Sequence, residues 1–391
     1  MKEDLALRVL GEIMGWDDAR ATEEFRWLSL MSRLKYDGYQ DFLAGVRFIE
    51  SLATWMQQFA LEERERAYAF VRHALVYISP AEMLRLVELF YPDVVERRLM
   101  RAVAEAHGVP AYRVWADPTT AGAYYSLLRR ALFIGLSEGA RLDHFRRANS
   151  GIVSNEQVLL ATHVDTEKWN KLLEDLRTEL HDPSATFRFV FLIDDFTGSG
   201  TTFIRKREGE WKGKLQKFWK TVADVLDTHF DTQIIVCVHH YIASHRAADE
   251  LRKRNKKAWS ELGMAKWFPS VELTFGTILP EKLPIDRSSL PQARDFLALA
   301  KKYCDYEDPL LKNRHFEEGN TKDAALGFAD GALPLILEHN TPNNSVAILW
   351  AETPGSDGTP ERHAMRPLFR RRQRHTETFD DGLEDIAVVP C

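Results

Sequence analysis

The sequence predicts an α/β fold, a doubly wound and mostly parallel sheet preceded by an all-helical N-terminal region. Three observations carry this expectation. Apolar residues recur three and four apart from Glu3 to about His107, short apolar runs alternate with amphipathic stretches after Pro118, and the run Phe187 to Ile193 is β-branched and aromatic in the manner of a strand buried on both faces. A chain of 391 residues has room for more than one sizeable core. The expected organisation is a helical region over 1–117, an α/β domain over 118–353, and an Arg-rich C-terminal tail over 354–391 that wraps the domain or is partly disordered.

In the front region, Leu5, Val9, Leu10 and Ile13 mark one helical face, and Phe42, Val46, Ile49, Leu52 and Trp55 mark another. Breaks fall at Tyr36-Asp37-Gly38, Ser79-Pro80 and Gly108-Val109-Pro110. Ser79 suits an N-cap, with Pro80 as first helical residue. Further on, the expected strands are Ala131 to Gly135, Phe187 to Ile193, Gln233 to Val238, Val271 to Ile278 and Leu333 to Leu337. Between them, Lys168 to Leu180, Leu215 to His229, Ala247 to Trp259 and Gln292 to Cys304 are long enough to serve as crossover helices.

Composition narrows the function classes. The formal net charge of −6 gives no global attraction for a polyanion, so any nucleic-acid contact has to be local. Cys237, Cys304 and Cys391 lack paired spacing, which argues against a disulfide frame or a thiolate metal site and fits the cytoplasm. The first residues show no signal pattern, and no stretch of 18 apolar residues occurs, so secretion and a membrane partner are not expected.

One segment carries chemistry: FRFVFLIDDFTGSGTTF, Phe187 to Phe203. Asp194 and Asp195 close a predicted strand, at the end where open α/β sheets place ligands. Thr197, Gly198, Ser199, Gly200, Thr201 and Thr202 then mix flexible glycines with hydroxyls and lead to an expected helix start at Phe203. Such a loop offers N–H groups, hydroxyls and a helix dipole to one anion. Carboxylates accept paired hydrogen bonds from vicinal hydroxyls, so acid pair plus anion loop suits a ribose 5-phosphate. The plain alternative is a strand end with Thr197 or Ser199 capping the next helix. No lysine stands between Gly198 and Thr202, which excludes a Walker A loop.

The order strand, Asp-Asp, one residue, Thr-Gly-Ser-Gly-Thr-Thr resembles the PRPP-binding signature of type I phosphoribosyltransferases, with Gly200 standing where a hydroxyl is usual. More widely the chain, from KYDGYQDF in the front to PLFRRRQR near the end, resembles the phosphoribosyltransferase-like proteins of bacterial conflict and antiphage systems, the PRTase-CE group. The resemblance implies a phosphoribosyltransferase-like fold and an enzyme of pentosyltransferase type. It also implies PRPP or a related 5-phosphoribosyl compound as partner, and Mg²⁺ arriving with it rather than bound by direct protein ligation. Asp194 and Asp195 would be catalytic, with 197–202 on the 5-phosphate. The turn Ser137, Glu138, Gly139, Ala140 and Arg141 would face pyrophosphate, although Glu138 puts a negative charge there. His339, Asn340, Asn343, Asn344 and Trp350 would lie on the acceptor side, following a last core strand. No mobile catalytic loop is evident upstream of the acids, since Asp165 to Leu180 reads as helix. The alternative function is a catalytically inactive PRPP- or nucleotide-sensing or scaffold subunit of a defence complex.

Other features keep two readings each. The Asn-rich loop 340–344 can be a self-bonded turn, and Trp350 can be core. His239, His240 and His245 invite a metal but have no recognised ligand spacing, and otherwise cap or pack after a strand that ends at Val238. Arg366, Arg370, Arg371, Arg372 and Arg374, like the basic run Leu251 to Lys257, form either a solvated face or a phosphate or nucleic-acid contact. Trp27, Phe42, Phe48, Trp55 and Phe59 form either a helical core or a groove for a protein partner.

Overall fold

The structure is a computed structural model that describes residues 3–161, 165–262, 270–355 and 363–371. As the periodicity predicts, the front of the chain is helical: α1 (Glu3–Met14), α2 (Asp18–Leu34), α3 (Phe48–Met56), α4 (Leu61–His73), α5 (Pro80–Phe90) and α6 (Arg97–His107). One short strand, β1 (Val76–Ile78), interrupts them. Ser79 caps α5 as expected: its hydroxyl accepts from the Glu82 N–H, and the Glu82 carboxylate accepts from the Ser79 N–H at 2.7 Å. Gly108 ends α6 in the left-handed conformation, at φ 65°.

Helix α7 (Pro118–Arg129) leads into the main sheet, formed by β2 (Ala131–Gly135), β3 (Val158–Leu160), β4 (Phe187–Thr197), β7 (Phe230–Ala243) and β8 (Ser270–Ile278). Their order is β3-β2-β4-β7-β8, and every neighbouring pair is parallel. The chain leaves β2 toward one edge, then returns past it to β4, so the order reverses between β2 and β4. That reversal leaves a crevice at the carboxyl ends of these two strands. Helices α8 (Leu142–Ala148), α9 (Thr166–Leu180), α10 (Lys214–Val222), α11 (Leu226–His229) and α12 (His245–Leu262) make the connections, followed by α13 (Pro291–Lys302) and α14 (Arg314–Glu318).

The alternation of side chains along β4 sorts the core into two faces. Val190 and Leu192 pack with Trp169, Leu172 and Leu176 of α9 and with Leu215, Phe218 and Val222 of α10. Phe189, Phe191 and Ile193 pack on the other face with Met83, Val87 and Phe90 of α5 and with Leu99 and Val103 of α6. Phe133 of β2 stacks on Phe191 at 5.3 Å between ring centres. Helices α5 and α6, within the region read as the helical front, therefore cover a sheet face. Conversely, α1, α3 and α4 share a third core with α13, residues 346–351 and 365–369; Phe70 stacks on Phe296 at 3.8 Å, and Phe48 on Phe369 at 5.6 Å.

Three expectations are corrected. The run Leu333 to Leu337 is no member of the main sheet: its β9 (Leu335–Leu337) pairs in parallel with β1 in a separate two-stranded sheet. No helix starts at Phe203. Instead β5 (Arg205–Arg207) and β6 (Glu210–Lys212) form an antiparallel hairpin, and α10 begins only at Lys214. Lastly, Leu215 to His229 divides into α10 and α11, and β3 adds an edge strand outside the predicted runs. Among the described residues, no helix is long and apolar enough to cross a membrane.

Candidate functional site

Strand β4 carries Asp194 and Asp195 at its carboxyl end, beside the loop that leaves β2. Consecutive residues of a strand face opposite ways, so the two carboxylates point to opposite faces of the sheet. Asp194 continues the row of Val190 and Leu192, and its side chain is 4% exposed. It accepts from Ser137 Oγ at 2.5 Å and from Lys214 Nζ at 2.6 Å. Lys214 reaches it because the hairpin delivers the first residue of α10 to the end of β4, where the Lys214 N–H also donates to the Thr202 carbonyl. Burial pushes the Asp194 carboxyl up from its ordinary range, opposed by the Lys214 charge and assisted by Asp195.

Asp195 continues the row of Phe191 and Ile193 and meets His339, whose Nε2–H donates to Asp195 Oδ2 at 2.7 Å. The other ring N–H of His339 donates to Glu338 Oε1 at 3.1 Å, and Glu338 also pairs with Arg141. Burial works against a charged imidazole, but the hydrogen bonds to Asp195 and Glu338 win and raise His339 to about 9. Burial likewise opposes the Asp195 charge, yet the His339 bond and charge hold that carboxyl below the ordinary range. The site is thus a line of alternating charges, Arg141, Glu338, His339 and Asp195 on one face, with Asp194 and Lys214 on the other.

The turn after β2 closes over this line. Gly139 lies so near Asp195 that a Cβ there would sit 2.5 Å from Oδ2, which is why a glycine is needed. Ala140 is buried, and its carbonyl accepts from the Tyr241 hydroxyl at 3.1 Å. Glu138 is exposed, and Arg141 adopts φ 52° with its guanidinium turned to Glu338. The front of the chain holds the opposite wall: the Gln40 N–H donates to the Glu338 carbonyl, and the Tyr39 hydroxyl lies 2.9 Å from Thr341 Oγ1.

Loop 197–202 is built as a backbone cradle. Gly200 takes φ 70°, Ser199 Oγ accepts from the Thr201 N–H at 3.3 Å, and Ser244 Oγ donates to the Gly198 carbonyl at 2.7 Å. Arg254 of α12 props the loop by donating to the Ser199 carbonyl at 3.3 Å and to Thr201 Oγ1 at 3.4 Å. Among the described residues, the N–H groups of Gly198, Ser199, Gly200, Thr202 and Phe203 donate to no carbonyl or side chain. Thr197 and Ser199 are buried and Thr202 is exposed. With the hairpin in place of a helix, the cradle rests on these amides without the expected dipole.

The acceptor-side residues divide. His339 joins the acid pair directly. Asn344 touches the cradle, since a Cβ on Gly198 would lie 2.1 Å from its Oδ1, while its amide donates to the Phe328 carbonyl. Asn343 pairs with His315 at 3.2 Å, and Asn340 makes an isolated bridge with Leu337. Trp350 is a core residue: it is 2% exposed, its indole N–H donates to the Ser345 carbonyl, and Arg371 covers its ring at 5.4 Å. It offers no open face for stacking a base. Arg370 pairs with Glu352, Arg366 is exposed, and Arg372 and Arg374 lie outside the described residues, as does most of the tail.

Sequence reasoning missed Lys214, Glu338 and Ser244. His240, expected to cap or pack after a strand ending at Val238, lies inside β7 instead: it sits beside Asp194 in register, fully buried, with both ring nitrogens lacking a partner among the described residues. Burial, with the Lys214 charge, lowers it to about 3, so it is a neutral imidazole. His239 bonds Thr274 Oγ1 and stacks on Phe90, and His245 opens α12. Among the described residues, no group of three or more His, Cys, Asp or Glu is arranged to hold a metal ion.

Comparison with known proteins gives one result that bears on this geometry. No curated protein and no solved structure matches the chain. The family model PRTase-CE matches residues 52–371, a span that takes in α4 to α14, the acid pair, the amide cradle and the 338–344 loop. With its parallel sheet, its carboxylates at the reversal of strand order and a family match over most of its length, this phosphoribosyltransferase-like chain belongs to the PRTase-CE family.

Proposed function

We propose that the protein binds a 5-phosphoribosyl compound, most simply PRPP with Mg²⁺, and displaces pyrophosphate at the anomeric carbon, acting as an effector in a bacterial antiphage or conflict system. The observation that carries the binding half is the cradle: over 198–203, five backbone N–H groups have no hydrogen-bond partner among the described residues, at the end of β4 and next to the reversal of strand order. The defence role rests on the family resemblance alone.

In this reading the 5-phosphate lies on the cradle and the ribose hydroxyls turn to the acid pair. Both carboxylates are engaged by this chain's own cations, so ligand binding requires an exchange of partners. Lys214 is placed for it, with its ammonium on Asp194 and its backbone on the cradle. Swinging toward a phosphate, it would free Asp194 for a sugar hydroxyl and still sit beside an anion. The carboxylates then favour the positive charge that grows at the anomeric carbon as pyrophosphate departs. In this reading Arg141 and the Gly139 turn would face the departing pyrophosphate. The acid pair suits a ligand-borne Mg²⁺, which is held by one or two carboxylates beside phosphate oxygens and water. When bound, it would neutralise diphosphate charge.

A second reading, a PRPP or nucleotide sensor or scaffold without turnover, is favoured by a specific observation. Lys214 and His339 fill the place in front of the acids and neutralise them. Incubating the protein with PRPP labelled in its pyrophosphate, with Mg²⁺ and cell extract, separates the two. Release of labelled pyrophosphate supports the enzyme. Thermal stabilisation by PRPP without release supports the sensor. If PRPP is neither turned over nor stabilises the protein, the phosphoribosyl assignment is overturned.

A further inference from the structure

A cavity of about 590 Å³ opens beside the cradle, with Thr201 in its wall. Its lining carries six cations, Arg205, Lys206 and Arg207 of the hairpin and Arg246, Arg254 and Lys257 of α12, against two carboxylates, Glu317 and Glu318. Some of this charge is spoken for: Arg205 and Arg207 pair with Glu318, Lys206 with Glu261 and Arg254 with Glu250. Arg246 instead donates to the Ala329 carbonyl at 2.7 Å, and the Lys257 ammonium stands 4.0 Å from Glu261 with its side chain 65% exposed. Among the described residues these two are the least neutralised cations of the wall.

The geometry limits what can enter. Arg246, Arg254 and Lys257 recur on one face of α12, and the eleven steps from the first to the last span about 16 Å. That row is longer than one phosphate and suits several in line. Trp211 is the aromatic residue in the lining, and it is 7% exposed with its N–H held by Glu261, so it gives no stacking platform for a base. We propose that this cleft binds linked phosphates, in the form of the backbone of a single-stranded nucleic acid, without reading its sequence. The cleft shares Thr201 and Arg254 with the cradle, but its argument does not use the phosphoribosyl reading. It places the nucleic-acid contact on the hairpin and α12, whereas the tail's Arg370 and Arg371 are engaged by Glu352 and Trp350.

The test uses the full chain and a short fluorescein-labelled oligouridylate, followed by fluorescence anisotropy, with inorganic tripolyphosphate as competitor. About four phosphate contacts at a slope of roughly −0.7 each predict an affinity that falls roughly 50-fold between about 50 and about 200 mM salt. In Arg246→Gln/Lys257→Gln, with an unchanged melting temperature, two contacts are lost and the fall shrinks to roughly sevenfold. Tripolyphosphate displaces the oligonucleotide from the original protein. The proposal is overturned by absence of oligonucleotide binding at low salt, including the case in which tripolyphosphate alone binds. It is equally overturned if the double variant keeps the full salt slope, or if Arg366→Gln/Arg370→Gln abolishes binding instead.

Discussion

Replacing Lys214 with methionine keeps the bulk of the stem and removes the cation facing Asp194 at 2.6 Å. The Asp194 side chain is 4% exposed, so its carboxylate is left charged where water solvates it poorly, or must take up a proton. Removing one partner of a buried pair costs about 3–5 kcal/mol. Lys214 itself is a quarter exposed and Ser137 still donates to Asp194, so the lower end applies, about 3 kcal/mol at about pH 8. The sign of the pH dependence follows from the direction of the Asp194 shift, which is upward and becomes larger without Lys214. A carboxyl raised in the folded state is a liability above its unfolded value near 4 and none below it, so each pH unit of acidification recovers up to about 1.4 kcal/mol. Urea unfolding followed by tryptophan fluorescence at about pH 8 and about pH 5 measures both numbers. Asp194→Asn/Lys214→Met, which removes the stranded charge, recovers most of the loss. A single variant within about 0.5 kcal/mol of the original protein at about pH 8, or a double variant no more stable than the single, refutes the reasoning.

The remaining predictions concern the other face and the glycines. His339 is raised from an ordinary value of 6.5 to about 9, so its contribution, about 3 kcal/mol, is complete below about pH 6.5 and is lost as pH rises through about 9. His339→Gln should flatten the stability profile in that window, and an unchanged slope would disprove the assignment. Gly198→Ala places a Cβ 2.1 Å from Asn344 Oδ1 and should cost about 1–3 kcal/mol, read as a lower urea midpoint. Gly139→Ala, with its Cβ 2.5 Å from Asp195 Oδ2, should weaken PRPP binding about tenfold in a calorimetric titration; equal affinity would show that the turn does not touch the ligand site.

Much of the fold is legible because it depends on local pattern. Ser79, Pro80 and Glu82 announce the start of α5, and the run from Phe187 onward, flanked by an acid pair and glycines, announces a central strand and its ligand end. The opposite facing of Asp194 and Asp195 follows from the two-residue period of a strand. The hairpin had a signal as well: Glu208-Gly209, at φ 52° and 83°, joins Arg205–Arg207 to Glu210–Lys212 as a two-residue turn. That turn was masked by the expectation that the cradle opens a helix.

What the sequence does not show is partnership over long separations. Lys214 meets Asp194 across 20 positions, and His339 meets Asp195 across 144. Strand β9 reads as a sheet member by composition, but its partner is β1, more than 250 residues earlier in the chain, and the pair packs between two cores, Tyr77 and Ile336 with α1, α3, α4 and α13, and Leu335 and Leu337 with α5 and α6. Trp350 resembles a stacking residue by its place after the Asn-rich loop, and burial makes it core.

The most direct test of the phosphoribosyl assignment is calorimetric titration of PRPP with Mg²⁺ into the intact protein and into Asp194→Asn/Asp195→Asn. The account predicts one saturable site in the first and no measurable heat of binding in the second, with the variant still unfolding cooperatively. Equal binding by both proteins, or none by the original, would contradict it.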